Sequence, residues 1–84
     1  MPSEYLIQLK DLIKEKAKEK GLKVMVVGST LKLVREGETV MNVSDRGEIV
    51  EISFRGQKYT YDKWYTKPEH LANTIKQVLE VQFK

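Results

Sequence analysis

The stretch LKVMVVGSTLKLVREGETVMNVSDRGEIVEISFRGQKYTYD, Leu22 to Asp62, decides the fold. Gly28, Gly37, Gly47 and Gly56 cut it into short runs in which apolar and polar residues alternate. Alternation with period two marks strands with one buried face, and regularly spaced glycines between such runs mark hairpin turns. The stretch reads as one antiparallel meander.

Turn chemistry proposes the registers. Gly28-Ser29 suits a type II′ turn and pairs Val26 with Leu31 and Val24 with Leu33. A three-residue loop Glu36-Gly37-Glu38 pairs Leu33 with Met41 and Leu31 with Val43, whereas a two-residue turn there would set Lys32 against Met41. Taking Arg46-Gly47 as the next turn pairs Val43 with Val50, Met41 with Ile52 and Thr39 with Phe54. Taking Gly56-Gln57 as the last pairs Phe54 with Tyr59 and Ile52 with Tyr61. The product is about five strands, or four if the chain bends at Gly28 without turning. One face carries Val24, Val26, Leu31, Leu33, Met41, Val43, Val50, Ile52, Phe54, Tyr59 and Tyr61.

Outward from the meander, each flank reads as a helix. The first runs from Ser3 or Glu4 to Lys20, with Ser3 as cap and Gly21 as stop. Tyr5, Leu6, Leu9, Leu12, Ile13 and Ala17 share an arc; Lys16 falls inside it and is expected to snorkel. The second runs from Lys67 or Pro68 to Gln82, and Thr66-Lys67-Pro68-Glu69 has the form of a capping box. Leu71, Ala72, Ile75, Val78 and Leu79 share its apolar face, which Phe83 extends. Two apolar stripes and one apolar sheet face predict an α+β two-layer sandwich with both helices on the same side.

The 84 residues predict a single domain, 1–84, with a modest core. Cysteine is absent, which removes disulfides and thiolate chemistry. No signal peptide, membrane-spanning run or lipidation motif is legible, so a cytoplasmic location without membrane contact is expected. Abundant Lys and Glu without Cys is a composition compatible with a thermophilic source.

Chemistry is sparse. His70 is the one histidine, too few imidazoles for a zinc site without other converging ligands. The acidic row Asp11, Glu15 and Glu19 is explained by pairing with Lys14 and Lys18. No serine carries a nucleophile signature, Asp45 and Glu48 suit turn chemistry, and no Gly-rich loop opens a helix to cradle phosphate. No catalytic, metal or cofactor residue is assigned, and the protein is expected to bind rather than catalyse.

Two binding surfaces stand out. The sheet face away from the helices presents Met25, Val27, Val34, Val40 and Ile49 with no segment left to cover it, which suits a homo-oligomer or a partner protein. The edges near Lys23–Val27 and Lys58–Asp62 offer strand addition as another route. The alternative is single-stranded RNA or DNA. Arg55, Lys58, Lys63, Trp64, Tyr65 and Lys67 interleave cations with aromatics, and Lys10, Lys14 and Lys18 form a row on the first helix. A net charge of +3 points mildly the same way. Against it stands a core role for Tyr59 and Tyr61, with Trp64 and Tyr65 closing the corner before the second helix.

Overall fold

The computed structural model describes residues 3–83. They form helix α1 (Glu4–Glu19), strands β1 (Lys23–Val27), β2 (Thr30–Arg35), β3 (Glu38–Asp45), β4 (Ile49–Phe54) and β5 (Gln57–Asp62), and helix α2 (Pro68–Gln82). Each strand pairs antiparallel with the next in chain order, which leaves β1 and β5 at the edges. Both helices pack on one face of the sheet, as the matching apolar stripes require. Leu6, Leu9, Ile13 and Ala17 of α1 meet Leu71, Ala72, Ile75 and Leu79 of α2 over Leu31, Leu33, Met41, Val43, Val50 and Ile52.

Every inner-face residue stays on the inner face, but two registers differ from expectation by two residues. Gly47 takes the first central position of its turn, at φ +97, and the Arg46 amide donates to the Ile49 carbonyl at 2.8 Å. Met41 therefore faces Phe54, and Val43 faces Ile52. At the last hairpin Gly56 takes the second central position behind Arg55, both with positive φ, as a type I′ turn requires. Ile52 then faces Tyr59, and Val50 faces Tyr61. A glycine suits either central position, and a shift of two leaves the alternation untouched.

The third turn reconciles two demands the sequence set against each other. Glu36-Gly37 is a two-residue turn with both φ positive, yet Leu33 still faces Met41. The extra residue goes into a bulge at Val40, which lies between the pairs Leu33–Met41 and Val34–Thr39. Gly28-Ser29 turns as expected, which makes the strands five.

Ser3 caps α1: its hydroxyl accepts from the Leu6 amide at 3.3 Å. The capping box at α2 does not form. Lys67 is the N-cap, without a side-chain bond, because Pro68 opens the helix and holds Lys67 extended at φ −71, ψ 160. Lys16 reaches past the apolar arc to Glu80 of α2, at 3.2 Å, and Lys20 joins it at 3.1 Å.

Candidate protein interface at strand β5

The helix layer does not cover the whole sheet. α1 lies over β1, β2 and β3, and α2 packs beside α1. No residue of β5 is buried. Tyr59 and Tyr61 point to the helix side, where Tyr61 is half-buried and Tyr59 remains 46 % exposed. A groove of about 260 Å³ runs between them and α2, floored by Met41, Ile52 and Phe54 and walled by Ile75 and Val78. Past Tyr61 it continues into a shallower cleft with Tyr65, Thr66, His70 and Thr74. A core position for Tyr59 is thus only half realised: the register puts it on the right face, but beyond the reach of α2.

Ladder parity fixes which backbone groups of β5 look outward. In an antiparallel pair the residues of a hydrogen-bonded pair turn both their N–H and C=O toward each other. The type I′ turn is closed by such a pair, Phe54–Gln57, and parity then makes Ile52–Tyr59 and Val50–Tyr61 the same kind. The Lys63 amide donates to the Glu48 carbonyl at 3.0 Å, which continues the series. Lys58, Thr60 and Asp62 therefore direct their amides away from β4, and their side chains share the outer face.

At the end of β5 the chain turns tightly. The Asp62 carboxylate accepts from the Trp64 amide at 2.8 Å, and the Asp62 carbonyl accepts from the Thr66 amide at 2.8 Å. The turn leaves Trp64 75 % and Tyr65 85 % exposed, so neither closes a corner of the core. Arg55 stacks over the Phe54 ring at 5.3 Å, and Lys58 and Lys67 are exposed. Lys63 does something else. Its ammonium bonds both oxygens of Asp45 at 2.9 Å and lies over the Tyr5 ring at 5.4 Å.

That pair sits in a polar joint that binds four parts of the chain. Asp45, at the end of β3, also accepts from the Ser3 hydroxyl and from the Gly47 amide at 2.9 Å. The Tyr5 hydroxyl donates to the Thr66 carbonyl at 2.6 Å. Burial works against the charge on Asp45, but the bonds from Ser3, Lys63 and Gly47, with the Lys63 charge, outweigh it and lower the carboxyl pKa. Burial, with Asp45 and Glu69 nearby, pushes the Tyr5 phenol up to about 12. Sequence reasoning missed this joint. Its only signal is an S/D/K set whose members lie 18 and 42 residues apart.

The helix lysines are not gathered with the aromatic turn. Tyr5 anchors the start of α1 near Thr66, but Lys10, Lys14 and Lys18 lead away from it, Lys18 by about 20 Å along the axis. Lys14 also approaches Asp11 at 3.8 Å.

The outer-face aliphatics do not form one patch either. Met25, Val27 and Val34 gather at the β1–β2 side, while Ile49 lies on β4 beside Asp62. Val40 is the bulge residue, half-buried and packed against the core. Between them the rows read Lys32–Asn42–Ser53–Lys58 and Thr30–Ser44–Glu51–Thr60, a polar centre. Among the described residues no three His, Asp or Glu side chains converge, and no helix is long and apolar enough to cross a membrane. Compared with known proteins, the chain matches no family model, no curated protein and no solved structure, so its own residues carry the functional argument.

Proposed function

We propose that this protein is a non-catalytic binding domain that works by associating with another protein surface, a second copy of itself foremost. The observation that carries this reading is β5: an edge strand without a buried residue, flanked by an apolar groove that α2 leaves open. An open apolar groove beside outward-facing amides is a surface suited to another polypeptide. The polar centre of the outer face argues for β5 over the open face as the main contact, with Met25, Val27 and Val34 a smaller second patch. Light scattering across a concentration series tests the reading. A mass rising from 9.8 kDa toward twice that value supports self-association, and a constant monomer mass removes it.

A second reading, binding of single-stranded RNA or DNA, is favoured by one feature: Trp64 and Tyr65 stand in solvent beside Lys67. Stacking on exposed rings with nearby cations is the chemistry such binding uses. Titration of a labelled oligonucleotide at low and moderate salt decides it. Salt-sensitive binding weakened by Trp64→Ala supports it, and no binding at low salt ends it.

A further inference from the structure

We propose that two copies of this chain pair antiparallel along β5, about a two-fold axis at Thr60, to form one continuous ten-stranded sheet with all four helices on one side. The inference rests on the self-association reading and specifies its geometry.

Parity limits the registers. Lys58, Thr60 and Asp62 have outward amides, so only registers that set one of these opposite another can bond. A two-fold at Thr60 sets Thr60 against Thr60 and Lys58 against Asp62 of the second copy, twice over. A two-fold at Tyr59 sets Lys58 against Thr60, and one at Tyr61 sets Asp62 against Thr60. A two-fold at Lys58 or at Asp62 opposes like charges. Pairing about Thr60 is the one arrangement among these that joins opposite charges, and opposite-charge pairs across strands are stabilising.

The same register completes the helix side. It sets Tyr59 against Tyr61 of the second copy, so four rings line up along the seam. A two-fold perpendicular to the sheet keeps both helix layers on one face and brings the two α2–β5 grooves together. Val78 of each copy then flanks the rings. The half-exposure of Tyr59 and the open groove, which one copy cannot remedy, are both relieved. The second edge, β1, differs: α1 packs against it and half-buries Val24 and Val26, and Lys23 is its only charge.

Three variants with light scattering test the geometry. In Thr60→Pro the missing amide is one that β4 does not use, so the fold stays and the edge is blocked. In Lys58→Glu and in Asp62→Lys the paired charges become alike; Asp62→Lys also gives up the bond to the Trp64 amide, so circular dichroism is used to establish that it is folded before its mass is read. The expected result is a wild-type dimer, a monomeric Thr60→Pro, and single charge variants that dimerise about tenfold more weakly. Mixing the two charge variants restores complementarity and returns a dimer, which a folding defect in either could not do. A wild-type monomer at every concentration overturns both the geometry and self-association. A wild-type dimer that survives Thr60→Pro and both charge changes overturns the geometry alone and moves the interface to β1 or to the outer face.

Discussion

Asp45→Asn removes the centre of the joint between α1, β3 and the exit from β5, and its effect follows from the bonds that this carboxylate makes. The carboxylate holds the Lys63 ammonium through two oxygens at 2.9 Å, while it also accepts from Ser3 and Gly47. An amide keeps one acceptor oxygen and turns an N–H₂ toward a donor. A hydrogen bond to a charged group contributes about 1.5–3 kcal/mol net. The Asp45 side chain is 10 % exposed and that of Lys63 24 %, so water recovers part of the loss and about 2 kcal/mol remains. With an unfolding entropy of about 2.1 cal/mol/K per residue, the 84-residue chain should melt about 11 °C lower. Thermal unfolding followed by circular dichroism reads this directly. The pH dependence adds a sign. The folded pKa of Asp45 is lowered, so its contribution is fully present above the unfolded value near pH 4 and is lost as pH falls through the folded pKa. The gap between wild type and Asp45→Asn is therefore full at neutral pH and closes on acidification. Melting within about 2 °C of wild type at pH 7, or a gap that widens in acid, refutes the joint.

Tyr5 gives a spectroscopic companion. The difference between the alkaline absorbance titrations of wild type and Tyr5→Phe should contain a phenol ionising near 12, and a difference curve centred at 10 contradicts the buried contact with Thr66. This raised pKa stabilises the fold below pH 10 and is lost as pH rises through the folded value. At the turns, Glu36 and Arg55 carry positive φ at 52° and 50°. Asn tolerates that region better, so Arg55→Asn should raise stability by about 0.5–1 kcal/mol in chemical denaturation, and a loss of stability argues against the type I′ turn. Glu80→Gln, at an exposed site bridged to Lys16 and Lys20, should lower the melting temperature slightly at low salt and less at high salt.

The parts of this fold legible in the sequence are those set by periodicity. Alternation alone assigns Met41, Val43, Val50 and Ile52 to the core, and helical spacing does the same for Leu9, Ile13, Leu71 and Ile75. Turn type is less legible, because Gly47 and Gly56 fit either central position and both choices keep the same face inward. The bulge at Val40 is hidden for a related reason: loop length and strand irregularity trade against each other without altering the apolar pattern.

The candidate site is legible only in outline. β5 is recognisable as an edge, but the lateral reach of α2 depends on packing, and that decides whether Tyr59 is core or surface. The fate of Lys63 lies beyond sequence patterning. It stands among cations that face solvent, and only the assembled sheet, which brings the end of β3 within reach of the residue that follows β5, gives it Asp45. The five outer-face aliphatics read as one surface by alternation, and the pairing separates Ile49 from Met25 and Val27 across the width of the sheet.

Occupation of the outward edge of β5 by a second copy can be read from amide hydrogen exchange at Thr60. That amide bonds to no group of its own sheet, so in an isolated chain it exchanges at the rate of an open strand edge. In a sample held where light scattering reports a dimer, Thr60 should be protected along with Lys58, and the protection should vanish on dilution to monomer. A dimeric sample in which Thr60 exchanges as fast as in the monomer contradicts the claim.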